Sequence, residues 1–420
     1  MPASTARRGR LCLFAAAMTL LAGPLHPAAA AEPAADACVR DIAGVIAMPP
    51  PPATTPLPAE LAARLQAALE ASFSETATPG AIVGVRTPAG QWQAAIGKAD
   101  PAKGTPMAIG MHTRIGSLTK TFTGTMILQL VGDGKLSLDD TISKYVAGVP
   151  NGDRITILQL ADMTSGVASY TMSTEFTDQY FAHPEQVFKP DALLAAGFSK
   201  SPLFEPGARF DYSNTNFILL GKVIEKVTGG TVTDQFKARI LEPLGLTNTI
   251  WPGDSPELPA PYAEGLTLQG DFAKPDAPSN ATHWNPAWAW TAGEMISNLD
   301  DLLTYGHALV TGQGLLDTAL QTRRLTFPGP AGYGIAIGCI DGWVGHTGTL
   351  PGYETTLYVD TTSGTTVVVQ ANSDIMTGDC SASPLPAGND RSIACLGPAT
   401  RIFTAVSAAL GHGFKPNPQH

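Results

Sequence analysis

The chain has 420 residues, 44% of them hydrophobic, with 36 acidic against 26 basic side chains and a formal charge of −10. A chain of this length can bury a large core, as one α/β unit or as two lobes, and needs no stapling to fold. The acidic balance leaves no basic face to hold a phosphate backbone, which excludes extended nucleic-acid binding.

Arg7, Arg8 and Arg10 precede the apolar run LCLFAAAMTLLAGPL and a small-residue stretch around Ala30 and Ala31. That order predicts an export signal over residues 1–31, with periplasmic or extracellular release. Its apolar part is short for a bilayer span of roughly 20 residues, so no membrane anchor is expected after its removal. The adjacent Arg7 and Arg8 leave the general and twin-arginine routes both open. Residues 32–58 read as a tail and a proline-rich connector, MPPPPATTPLPAE being stiff and polyproline-like. A single folded domain is expected over residues 59–414.

Within it, PAELAARLQAALEASF carries apolar residues at helical spacing, and GAIVGVRTPAGQWQAAIG reads as two strands joined by a turn at residues 88–90. Residues 117–133 repeat apolar positions at Leu118, Phe122, Met126, Ile127 and Leu130 before Gly134, which predicts a helix starting at Ser117. Thr119, Thr121, Thr123, Gly124 and Thr125 are poor helix formers, so burial must hold that segment helical. Far along the chain, GYGIAIGCI, GWVGHTG, YETTLYVD and TTVVVQAN read as strands, and ATRIFTAVSAALGHG as a closing helix. Strands at both ends around a helical middle, about 115–325, predict an α/β fold of the α+β type. Its mostly antiparallel sheet comes from both chain ends, with helices on its faces, an inserted helical lobe and a cleft between lobes.

Four cysteines remain beyond the signal: Cys38, Cys339, Cys380 and Cys395. An even number in an exported chain favours disulfides over metal or thiol chemistry. Cys380 with Cys395 brackets a Pro/Gly/Ser-rich loop and is the favoured pair. Cys38 with Cys339 would then tie the tail to the body.

Ser117 and Lys120, at i and i+3, share a face of their helix about 5–6 Å apart at Cβ. A helix N-terminus adds backbone N–H donors for a developing oxyanion, and a lysine in a dry cleft can accept a proton from serine. Alone, this pair is more often a capping serine beside a solvated lysine. Two more patterns alter the balance: Tyr212-x-Asn214 and His346-Thr347-Gly348. With Ser-x-x-Lys, each occurs once in the chain, in this order. Trp284, Trp288 and Trp290 are as readily core as cleft wall and are left out of the site. The chain has no G-x-S-x-G elbow, no H-E-x-x-H and no Walker glycine loop, and its histidines lack metal-ligand spacing.

This ordered set resembles the penicillin-recognising serine hydrolases, in the branch of class C β-lactamases and secreted D-alanyl-D-alanine carboxypeptidases. IGSLTKTFTGTMILQLVGDGKLSLDDTISKYV, FEPGARFDYSNTNFILLGKVIEKVTGG, TAGEMISNLDDLLTYGHAL and GHTGTLPGYETTLYVD extend the likeness over most of residues 60–375. The resemblance implies an acyl-enzyme on Ser117 and a proton relay of Lys120 and Tyr212, with the choice of base left open. It implies Asn214 on the substrate amide and an oxyanion hole from the backbone N–H groups of Ser117 and Thr349. His346, Thr347 and Gly348 would line the opposite strand, where an imidazolium or a hydroxyl attracts the substrate carboxylate, and an extended peptide would pair along that edge.

Neither metal nor organic cofactor is expected, and a monomer is the default. The implied partners are D-Ala-D-Ala peptides or related small acyl substrates, and β-lactams as acylating inhibitors or substrates. The expected activity is a D-alanyl-D-alanine carboxypeptidase. Its competitors are a carboxylesterase or D-amino-acid amidase, a class C-like β-lactamase, and a non-catalytic penicillin sensor or wall-binding protein. One departure stands out: YGIAIGCIDGWVG lacks the arginine that related carboxypeptidases often place before the third motif. Arg323 and Arg324 are the candidates to replace it.

Overall fold

Every residue of GAIVGVRT, YETTLYVD and TTVVVQA is buried, the mark of strands covered on both faces. The computed structural model describes residues 37–270, 273–327, 332–380 and 384–416; the expected export signal lies outside them. Strands β1 (Gly80–Thr87), β2 (Gly90–Asp100), β3 (Thr105–Pro106), β4 (Gly338–Ile340), β5 (Trp343–Leu350), β6 (Tyr353–Asp360) and β7 (Thr365–Ala371) form one seven-stranded sheet. Its order is β3-β2-β1-β7-β6-β5-β4, antiparallel throughout. The N-terminal and C-terminal runs meet where β1 pairs β7, with Val83 opposite Val369. This is the antiparallel sheet built from both chain ends that the sequence predicts.

Because side chains alternate along a strand, β1 sends Ala81, Val83 and Val85 to one face and Ile82 to the other. Helices α1 (Ala59–Phe73) and α5 (Pro398–Ala409) cover the first face, where Leu65, Leu69 and Phe403 meet Trp343. Between them and the helical lobe, helix α4 (Leu299–Thr311) lies on the second face. It comes so close that a Cβ on Gly84 would sit 2.8 Å from Leu299. Helices α2 (Thr119–Gly132) and α3 (Asn214–Thr228) form the middle of the helical lobe.

α2 is buried nearly all round, from Thr119 to Leu128 and at Leu130. Its threonines are the polar groups that such burial tolerates, because each hydroxyl finds a partner. Thr121 bonds the Leu118 carbonyl, Thr123 the Thr291 carbonyl, and Thr125 the Thr121 carbonyl. The helix begins two residues later than its sequence pattern suggests. Gly116 to Leu118 form one 3-10 turn, entered through a positive φ of 51° at Gly116.

A second difference concerns GYGIAIGCI, which is strand only over Gly338–Ile340. Residues 332–337 fold as a buried turn with positive φ at Gly332 and Ala336. Ala336 N–H donates to the Ala161 carbonyl, and the Ala336 side chain fills the space left by Gly124 of α2. Helix packing outweighs strand propensity there. Both expected disulfides are formed, Cys38 with Cys339 and Cys380 with Cys395, at Cα separations of 6.2 and 4.9 Å. The proline-rich stretch lies along β2, with Leu57 N–H on the Gln91 carbonyl and Gln91 N–H on that of Thr55.

Glu354 of β6 caps α5: one carboxylate oxygen accepts from Ala399 N–H at 2.9 Å and the other from the Thr400 hydroxyl at 2.7 Å. Burial nevertheless dominates and pushes this carboxyl up from its ordinary 4.5 to about 7. A raised acid pKa means the folded state holds the proton more tightly, so stability from this group falls as pH climbs from about 4.5 to 7. Glu354→Gln is therefore expected to match the wild type near pH 4.5 and to exceed it at pH 8 by on the order of 3 kcal/mol in urea unfolding.

Candidate active site

The strand-like pair Thr113–Arg114 and Ile296–Ser297 delivers the chain to the 3-10 turn, and Ile115 N–H bonds the Met295 carbonyl at 3.0 Å. β5 then presses onto this turn backbone to backbone. A Cβ on Gly348 would lie 1.9 Å from the Ile115 carbonyl and 2.8 Å from Ser117 N, and one on Gly116 would lie 2.5 Å from Thr349 N. No other residue type fits at Gly348. The contact brings the amides of Ser117 and Thr349 to the same seam, which is the placement that stabilising an oxyanion requires.

One turn beyond Ser117, the fully buried Lys120 directs its Nζ at the Ser117 hydroxyl (2.9 Å), the Asn214 side-chain carbonyl (2.8 Å) and the Ala292 backbone carbonyl (2.7 Å). Burial alone drives its pKa well below the ordinary lysine value. Ser213, between Tyr212 and Asn214, is extended (φ −131°, ψ 118°), so both neighbours project to the same side. Asn214 enters the cleft at the start of α3, and the Tyr212 ring lies 4.9 Å from Lys120 Nζ. Tyr212 is 38% exposed, yet desolvation raises its phenol above the ordinary value while the Ser117 hydroxyl, hydrogen-bonded to it, offsets part of that rise. Ser117 thus has two proton partners, an amine with a depressed pKa and a phenol with a raised one.

β4 pairs with β5 only over Trp343 to Gly345. From His346 onward, no strand among the described residues pairs with the outer edge of β5. Thr347 is half-buried and Thr349 exposed on that edge. His346 is not the cation that the imidazolium expectation requires. It is buried, its Nδ1 faces the Thr347 carbonyl, its Nε2 lies 3.0 Å from the Tyr333 hydroxyl, and burial and Lys120 together lower its pKa to about 3. Arg324 cannot replace the absent arginine either. It is buried against α2, donating to the Thr125 hydroxyl at 2.6 Å, while Arg323 is exposed on the last turn of the same helix.

Several participants escape sequence reasoning. Ala292 contributes only a backbone carbonyl, which no side-chain pattern can signal. The Ser169 hydroxyl accepts from Asn214 N–H at 3.1 Å and bonds Thr171, whose hydroxyl lies 3.4 Å from Asn214 Nδ2. Trp284 and Trp288 pack in an aromatic cluster with Tyr180, and Trp290 packs against Gly221.

A profile of the Beta-lactamase family matches residues 61–384. The chain belongs to the beta-lactamase family. D-aminopeptidase of Brucella anthropi is 29% identical over 272 residues, covering 62% of this chain and 49% of that protein, so the chain spans about half the length of that relative. Among solved structures, a D-stereospecific amidohydrolase from Streptomyces sp. is 33% identical (TM-score 0.67), covering 74% of this chain and 94% of that one. D-amino acid amidase from Ochrobactrum anthropi SV3, complexed with D-phenylalanine, shares the fold at 24% identity (TM-score 0.70), covering 84% and 99%.

In this beta-lactamase-family cleft, a lysine acting as base must be neutral, so acylation is expected to slow as pH falls through the depressed Lys120 pKa. Lys120→Met keeps the buried volume and removes the amine. The burst rate with a p-nitrophenyl ester is expected to drop by about 10³-fold or more.

Proposed function

We propose that the protein is an exported serine hydrolase that forms an acyl-enzyme on Ser117 and acts on amides of D-amino acids. Ser117 Oγ attacks the substrate carbonyl, and Lys120 takes the proton. Tyr212 passes a proton to the departing nitrogen and is reprotonated by Lys120, and water then hydrolyses the ester and returns the proton to Ser117 Oγ. The carbonyl oxygen sits against the amides of Ser117 and Thr349. Asn214, its carbonyl turned to Lys120, offers Nδ2 to the substrate. Thr347 and Gly348 flank the bound chain along the open edge of β5.

The observation that carries this reading is the Lys120 amine, buried at 2.9 Å from the Ser117 hydroxyl. A capping serine with a solvated lysine would show neither the burial nor the convergence with Asn214. A pure penicillin sensor or wall-binding module would have no use for the relay.

The choice of amide over carboxypeptide rests on charge. A carboxypeptidase must pair a terminal carboxylate, and burying an unpaired one costs several kcal/mol. Neither the neutral His346 nor the engaged Arg324 offers that pairing. The relatives named for D-aminopeptidase, D-amino acid amidase and D-stereospecific amidohydrolase point the same way. Two disulfides and the pattern of residues 1–31 support export, and no described helix is long and apolar enough to cross a membrane. β-Lactams would acylate the same serine.

Steady-state kinetics with D-phenylalanine amide, L-phenylalanine amide and a D-Ala-D-Ala tripeptide test the proposal. The D-amide is expected to give kcat/KM at least about 10-fold above the other two, one such step being worth about 1.4 kcal/mol of transition-state discrimination. A higher value for the tripeptide would overturn the substrate assignment, and turnover by Ser117→Ala would overturn the nucleophile.

A further inference from the structure

Tyr333 stands outside the three motifs and yet closes the site on the side of β5. It lies on the buried turn over residues 332–337, and its hydroxyl is 3.0 Å from His346 Nε2. The other imidazole nitrogen, Nδ1, faces the Thr347 carbonyl. A carbonyl only accepts, so Nδ1 carries the hydrogen, Nε2 is the acceptor, and the Tyr333 hydroxyl donates to it. The same ring stands perpendicular to two neighbours: to His346 at 5.7 Å and 84°, and to Tyr212 at 6.4 Å and 85°. Phe210 backs it at 5.6 Å. Tyr212 itself is 38% exposed; the buried Tyr333 ring is thus a wall beside a partly open ring.

The turn that carries Tyr333 is anchored on three sides. Ala336 bonds Ala161 and packs at Gly124 of α2, Cys339 N–H bonds the Gly332 carbonyl at 2.6 Å, and Cys339 is bridged to Cys38. Such anchoring fixes the ring with respect to Ser117 through α2 rather than through a loop free to drift.

We propose that Tyr333 is a positioning residue of the acyl-transfer site: by donating to His346 Nε2 it locks the imidazole in one neutral tautomer, and through its perpendicular ring contact it sets the orientation of the Tyr212 phenol toward Ser117. The proposal rests on the reading of Ser117 as nucleophile. His346 faces Lys120 from α2, Tyr212 from the approach to α3, Tyr333 from the turn and the Thr347 carbonyl from its own strand; Tyr358 and Asp162 act on Tyr333 from beyond. Without the donated hydrogen, Nε2 is left as a buried acceptor with no donor, and protonation of the imidazole becomes less costly.

Tyr333→Phe keeps the ring and removes only the donor, so folding is preserved and checked by the thermal midpoint. With the best amide or ester substrate, kcat is expected to fall about 10-fold with KM within twofold of wild type. Wild-type kcat should show no histidine limb between about pH 4 and 8, because His346 stays neutral down to about 3. In Tyr333→Phe the histidine limb should move up from that value but stay short of the ordinary histidine range, because burial and Lys120 still act on the ring while the donor that favours the neutral form is gone. In the background of His346→Asn, the Tyr333→Phe change should cost no more than about twofold, since the partner is already gone. Wild-type kcat and pH profile in Tyr333→Phe, or full additivity of the two changes, would overturn the proposal. Failure of the underlying reading looks different: Ser117→Ala would then retain turnover, whatever the Tyr333 variants do.

Discussion

A lysine amine sealed from water and aimed at three oxygens is the constraint around which the helical lobe is arranged. Solvation would restore the ordinary lysine pKa and leave a permanent ammonium, useless as a base. Keeping Lys120 dry requires α2 to be buried on all sides rather than along one stripe, and a helix buried all round has no polar face to offer water. Leucine at every position would overfill the space between α3 and the Trp290–Gly293 turn. Threonine is smaller, and its hydroxyl returns to a backbone carbonyl, so the helix stays dry without unsatisfied groups at these positions. The composition that looks wrong for a helix is thus a consequence of what the helix must bury.

The second requirement is that sheet and helix touch without side chains between them. Gly348 and Gly116 face each other across that contact, and each leaves space already filled by the other segment's backbone. Because β6 pairs β5 in register, Leu357 with His346 and Thr355 with Gly348, the position of Thr349 is set by the whole sheet and not by its own hairpin. Burial of every residue in β6 and β7 therefore reaches the candidate site: a rigid core holds one half of the seam between Thr349 and Ser117, and α2 holds the other.

How much of this is legible in the sequence depends on whether the decisive feature has a side-chain signature. Alternation and β-branched runs announce β1, β5, β6 and β7, and their location at both chain ends implies the sheet. The candidate site is legible because Ser117, Lys120, Tyr212 and Asn214 are residue types tied to one chemistry, in an order that chance does not produce. The turn at residues 332–337 is not, since Ile335, Ala336 and Ile337 read as strand until Gly124 of the distant α2 offers Ala336 a socket. Nor is the charge state of His346. A histidine in a His-Thr-Gly run looks like a cation until its burial, its Tyr333 partner and its distance-dependent repulsion by Lys120 are known. Backbone participants such as Ala292 leave no trace at all.

The same repulsion ties specificity to mechanism. Lys120 lowers the claim of His346 to a proton, since a second positive charge in a dry cleft adds a Coulomb cost that water does not screen. A cleft that kept His346 as an imidazolium would hold Lys120 further toward its neutral state but would put a strong competing donor beside the oxyanion seam. A cleft with both groups neutral instead presents an uncharged wall of imidazole, phenol and hydroxyl to whatever leaves from the acyl carbon. An anionic leaving group entering that wall gives up its hydration with no counter-charge in return, whereas ammonia or a neutral amine gives up far less. On the proposed reading, the burial that would make Lys120 a base would therefore also tilt the site toward uncharged amides, so that neither property could be altered without disturbing the other.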